Sequence, residues 1–144
     1  LRESSAKRND ITETKIRLGQ LKSDLSLSDV RKITLAKEKT DIGAAVFTYD
    51  YKVLYPLSEP KGQELGSIAV KGEIIFADNS KAIEDILKDW QKDKKIKPNI
   101  IQTVLNVALR DAQVEAIEQA KKVGLPSPVP LPKIKTKVGK GTAS

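Results

Sequence analysis

PNIIQTVLNVALRDAQVEAIEQAKKVG, residues 98–124, reads as one long helix with its own start and stop signals. Pro98 suits a first helical position, where the missing N–H costs nothing. Gly124 can adopt the left-handed cap, and Pro126 just beyond it prevents the helix from continuing. At 1.5 Å per residue the helix runs roughly 40 Å, enough to cross a small domain. Its first turns carry Ile100, Ile101, Val104, Leu105, Val107 and Leu109. Its second half narrows to Ala108, Ala112, Ala116 and Ala120 with Ile117. Alanines four apart form a smooth ridge that lets a neighbouring element approach closely. The ridge is expected to face the core, with a contact between subunits as the alternative.

Working outward, residues 44–55 (AAVFTYDYKVLY) form the clearest strand. Phe47, Tyr49, Tyr51, Val53 and Tyr55 fall at period two, with Thr48, Asp50 and Lys52 on the opposite face. All three tyrosines of the chain lie on this one face. Packing over the alanine ridge, large rings against small residues, is the preferred reading. An aromatic surface for extended peptide or for bases is the other, and with Phe76 these residues form the candidate peptide-binding set. Residues 56–66 (PLSEPKGQELG) read as a loop. Residues 67–77 (SIAVKGEIIFA) read as the next strand, antiparallel to the first. Gly72 within its apolar face points to a bulge or a close backbone contact.

After that strand, Asp78, Asn79 and Ser80 offer N-caps for a short helix carrying Ile83, Ile86, Leu87 and Trp90 at helical spacing. Residues 92–97 (KDKKIK) link it to the long helix. Upstream, residues 1–10 are polar and expected to fray, and they do not resemble a signal peptide. Ile16, Leu18, Leu25 and Leu27 alternate with polar residues and suggest a strand broken or bulged near Gly19, with a helix as the weaker alternative. Residues 30–37 (VRKITLAK) read as a further short strand after a turn at Ser28 and Asp29. Downstream, Pro126, Pro128, Pro130 and Pro132 impose an extended segment. It is expected to lie along the domain through Leu125, Val129 and Leu131, and could instead present a ligand to a groove-binding partner.

The composition bounds function more than it reveals it. The 144 residues suffice for one domain with a buried core, placed at residues 1–132, followed by a basic tail at 133–144. With 4% aromatic content, that core must be mostly aliphatic. No apolar run reaches the roughly eighteen residues of a membrane span. The chain has no cysteine and no histidine, which removes disulfides, thiolate chemistry, the usual zinc sites and the commonest general base. No metal or other cofactor is expected. The net charge of +7 is uneven: twenty basic and nineteen acidic residues precede residue 119, and six lysines with no acid follow it. Lys133, Lys135, Lys137 and Lys140 are therefore candidate nucleic-acid contacts, although the five arginines are scattered and no standard motif supports them. Catalysis is the least favoured class. There is no nucleophile elbow, and the Gly-Lys-Gly-Thr at residues 139–142 lacks the upstream glycine and strand of a phosphate-binding loop.

Antiparallel strands, a short capped helix, a charged link, one long helix and a Pro-rich extended tail resemble the SecB family of export chaperones. The residues that carry the resemblance are Pro98-Asn99-Ile100 at the start of the long helix, the Gly124-Leu125-Pro126 step after it, Leu131-Pro132, and the strand with internal Gly72. The resemblance implies an α+β protomer, with a four-stranded antiparallel sheet and a short and a long helix packed on one face. It implies protomers that pair into dimers and tetramers, for which Ala108, Ala112, Ala116 and Ala120 become candidate interface residues. It also implies a cytoplasmic, ATP-independent protein that holds unfolded polypeptide for transport. The chain departs from that family in charge, being basic rather than acidic, so the acidic surface that recruits the SecA motor has no counterpart here.

Overall fold

The computed structural model describes residues 2–11, 15–33 and 42–129. The order is β1 (Arg2–Arg8), β2 (Arg17–Leu18), β3 (Lys22–Ile33), β4 (Ile42–Glu59), β5 (Glu64–Asn79), α1 (Ser80–Asp93) and α2 (Pro98–Val123). This is an α+β chain with one antiparallel sheet. Along the sheet β1 pairs with β5, β5 with β4, and β4 with both β3 and the two-residue β2. Five strands form where four were expected, because Arg17 and Leu18 bridge to Glu59 and Leu57 before the chain enters β3. Strands β3, β4 and β5 follow one another, while β1 lies at the opposite edge from β3.

Opposite residues on β4 and β5 share a face, so the register sorts the sheet into two sides. On one side Ala45, Phe47, Tyr49, Tyr51, Val53 and Tyr55 of β4 meet Ile68, Val70, Gly72 and Ile74 of β5. Both helices pack on this side. Under the N-terminal half of α2 and under α1, Phe47 clusters with Val30, Ala45, Ile83, Ile86, Trp90, Ile96 and Val104. Further along, Tyr49, Tyr51, Val53, Tyr55, Ile68 and Val70 pack with Ala108, Ala112, Ala116, Ala120 and Leu125. The other side carries Glu3, Lys71, Asp50, Lys52, Asp24 and Ser26, a mixed-charge surface. No helix among the described residues is long and apolar enough to cross a membrane.

Three expectations need correction. The polar N-terminus does not fray: Arg2–Arg8 is a strand in register with Gly66 to Gly72. Its inward side chains find polar partners on α2, so it pairs without an apolar stripe. The turn at Ser28 and Asp29 is a bulge inside one strand. Leu27 faces Tyr49 and Val30 faces Phe47, three residues apart, so Ser28 is the extra residue that keeps both side chains inward. The second strand expected over residues 30–37 is therefore the end of β3, and residues 34–37 lie outside the described residues. The loop at residues 56–66 is shorter than expected, because β4 runs on to Glu59 and β5 starts at Glu64.

The helices begin and end on their expected signals. The Asn79 side chain accepts the Ala82 N–H, capping α1. Pro98 opens α2, and Gly124 closes it at φ 76° with its N–H toward the Ala120 and Lys121 carbonyls. A left-handed φ of this kind is cheap only for glycine.

Candidate functional site

The side chains of α2 divide into four stripes, and each meets something different. The ridge Ala108, Ala112, Ala116 and Ala120 is at most 1% exposed and lies against the sheet. Asp111, Glu115 and Gln119 point toward β1. Leu105, Leu109, Gln113 and Ile117 point the opposite way, toward β4 and β3, and the Gln113 side chain reaches the Tyr51 hydroxyl. Val107, Arg110, Val114 and Glu118 face outward, with Val114 58% exposed.

Toward β1 the chain builds a closed polar network. Tyr49 donates its hydroxyl to Asp111 Oδ2 at 2.6 Å, and Arg2 Nη2 sits 3.0 Å from Asp111 Oδ1. Arg2 Nη1 donates to Glu115 Oε1 at 3.0 Å, and Ser4 Oγ donates to Glu115 Oε2 at 2.5 Å. Gln119 Nε2 donates to Ser4 Oγ at 2.9 Å. The Ser4, Gln119 and Arg2 donors hold the Glu115 carboxyl below its ordinary range. Burial, and then the Asp111 carboxylate that accepts its proton, push the Tyr49 hydroxyl well above its ordinary value. These acceptors are taken up by their donors, and the network's effect is to clip β1 onto α2.

On the opposite flank the arrangement is apolar and more open. α2 packs mainly on β5 and β1, and α1 reaches β4, β5 and the far half of β3. The inward leucines at and before the start of β3, Leu21 and Leu25, are half-buried, as are Leu27 beside α1 and Leu109 on α2; all border the tyrosine cluster. Tyr51 lies between the two elements, its hydroxyl raised by burial and opposed by hydrogen bonds from Ser23 of β3 and Gln113 of α2. The result is an apolar shelf, with Leu21, Leu25 and Leu27 on one side and Leu109 on the other.

The candidate peptide-binding residues separate on this frame. Phe47, Tyr49, Tyr51, Val53 and Tyr55 are at most 2% exposed and form the floor beneath the helices. Phe76 is half-buried near the edge of β5, its ring edge-on to Phe47 at 6.2 Å between centroids. The candidate interface alanines are likewise inside the protomer. Lys133, Lys135, Lys137 and Lys140 lie outside the described residues. The leucines of β3 and Leu109 were not singled out for a site; their alternation was visible, but which side of the sheet a helix leaves uncovered was not. The polar network was also missed, because its β1 residues lie more than one hundred residues from their partners on α2. Among the described residues, no group of three or more Asp or Glu stands close enough to hold a metal ion.

No family model, curated protein or solved structure matches this chain.

Proposed function

We propose that this chain holds unfolded polypeptide without ATP, in the manner of a divergent SecB-like chaperone acting in the cytoplasm. The observation that carries the reading is the shelf. Inward leucines at the start of β3 continue the core beyond the cover of α2, and half-buried aliphatic side chains beside a rigid sheet suit extended apolar segments of many sequences. Tyr51 and Val53 then support the client from below while Leu21, Leu25 and Leu109 touch it. The protein acts as a dimer or tetramer. With the alanine ridge filled by the sheet, the outward face of α2, bearing Val107 and Val114, is the surface a second protomer meets.

Light scattering on a sizing column, with and without a permanently unfolded client, tests both parts. An oligomer that co-elutes with the client supports the reading, and a monomer that leaves the client to aggregate overturns it. Binding of nucleic acid through the C-terminal lysines is the second reading. It predicts RNA affinity that falls steeply with salt and disappears on removal of residues 133–144.

A further inference from the structure

The outward stripe of α2 carries charges of both signs in a fixed order. Val107, Arg110, Val114, Glu118 and Lys121 recur at steps of three and four along a helix of 26 residues, about 39 Å long. Val114 is 58% exposed at the middle of the stripe. Arg110 lies one turn before it and Glu118 one turn after it, both exposed. Neither has an ion-pair partner among the described residues. Their own helix does not supply one. No acidic residue stands three or four positions from Arg110, and Glu118 makes no bond to Lys122 four positions on. Asp111 and Glu115, the nearest acids in sequence, are taken up by Arg2, Ser4 and Tyr49. An exposed aliphatic residue is thus flanked, at equal distances, by free charges of opposite sign.

We infer that two copies of the chain pair through α2 in antiparallel orientation, about a two-fold axis beside Val114, so that Arg110 of each copy meets Glu118 of the other. The inference rests on the oligomer proposed above and supplies its orientation, its register and the charges that select them. A two-fold contact is self-complementary: residues equally far before and after the axis lie level with each other. Val114 then packs on its own copy, and each Arg110–Glu118 pair lies about 6 Å along the helix from the axis. Val107 comes level with Lys121, whose aliphatic stem covers it while the ammonium stays in water. The alternatives fail on charge. Parallel pairing sets Arg110 against Arg110 and Glu118 against Glu118. The antiparallel register that brings Val107 level with Val114 crowds the two Arg110 side chains beside the axis and leaves Glu118 opposite Thr103. Of these arrangements, only the one centred on Val114 pairs opposite charges, and by symmetry it does so twice. A contact one helix wide lies at the small end of specific interfaces, so a dimer in the micromolar range is expected.

Sedimentation equilibrium of the full chain, over a range of protein concentrations, tests the pairing by charge reversal. Arg110→Glu and Glu118→Arg are each expected to weaken the dimer about tenfold or more, because each turns two attractive pairs into two repulsive ones. The two reversals combined restore opposite charges and are expected to return the affinity to within about threefold of the parent. Both positions are exposed, and circular dichroism checks the fold. The chain has no cysteine, so a single introduced thiol reports the axis. Val114→Cys is expected to form a disulfide between copies under mild oxidation. Val107→Cys is not, because the two copies of that residue stand about 21 Å apart along the helices. A parent that stays monomeric at every concentration overturns this inference and the proposed oligomer together. A dimer indifferent to both reversals, a combined variant no tighter than either single one, or a disulfide through Val107→Cys overturns the inference and leaves the oligomer standing. Client binding is not among these readouts, so failure of the shelf is seen separately.

Discussion

Replacing Gly72 by alanine places a methyl group where the Tyr49 ring now lies. An ideal Cβ on Gly72 stands 2.5 Å from the Tyr49 hydroxyl oxygen, 2.6 Å from Cζ and 2.7 Å from Cε2. Separations of this size are impossible, and the ring is pinned: it is fully buried, and its hydroxyl donates to Asp111 at 2.6 Å. The ring must therefore tilt, which overpacks the alanine ridge at a cost of about 1–3 kcal/mol. Tilting also lengthens a hydrogen bond to a carboxylate, worth about 1.5–3 kcal/mol. A total near 3 kcal/mol takes a large share of a stability typically of about 5–15 kcal/mol. With a urea slope of about 1.5 kcal/mol/M it lowers the unfolding midpoint by about 2 M, and it lowers the melting temperature by about 10 °C. The control is Tyr49→Leu, which clears the space. Gly72→Ala added to that variant is expected to cost less than about 0.5 kcal/mol, so the two changes are strongly non-additive. A Gly72→Ala protein with an unchanged midpoint, or costs that simply add, would refute the packing of Tyr49 on β5.

Three further outcomes follow from the same packing. The Glu115 carboxyl is held below its ordinary value of 4.5, so its contribution is complete above that pH and is lost as pH falls through the lowered native value. Glu115→Gln should flatten the acid limb of the stability profile, measured by urea titration at several pH values, and an unchanged limb contradicts the clip between β1 and α2. Tyr55 is pushed up to about 12 by burial, first, and by the neighbouring Tyr51. The unfolded chain thus ionises first, and stability is expected to fall as pH rises from 10 toward 12; tyrosinate absorbance that tracks unfolding checks it, and tyrosines that ionise near 10 in the folded state contradict it. Deleting Ser28 removes the bulge and leaves Leu27 and Val30 in phase, at a cost below about 1 kcal/mol, whereas deleting Ser26 throws the strand out of phase and costs more than about 2 kcal/mol. Equal losses in thermal unfolding would restore a turn at that place.

The elements whose sequence alternates or repeats on one face were legible. The aromatic run from Phe47 to Tyr55, the helical spacing of Ile83, Ile86 and Trp90, and the Pro98 and Gly124 ends each specify a local structure through their own side chains. Gly72 pointed to a bulge or a close backbone contact; the register is regular there, and what lies against it is the Tyr49 ring. β1 was illegible because RESSAKR satisfies itself through Asp111, Glu115 and Gln119, which only the fold brings near. β3 was misread because one bulge breaks the period of two without breaking the strand. The shelf was hidden for a third reason. A leucine at Leu25 looks the same in sequence whether or not a helix lies above it, and the reach of α2 is set by where its alanines seat on β5.

Half-buried aliphatic side chains between β3 and α2 are proposed to hold unfolded polypeptide. The most direct measurement is the affinity of a fluorescently labelled, permanently unfolded client for the parent chain and for the Leu25→Asp and Leu109→Asp variants, each checked for its fold. Each variant places a charge on the shelf while leaving the alanine ridge and the polar clip intact. Binding by the parent that weakens by about tenfold or more in both variants is the predicted result. A client that ignores the parent, or that binds all three proteins equally, would contradict it.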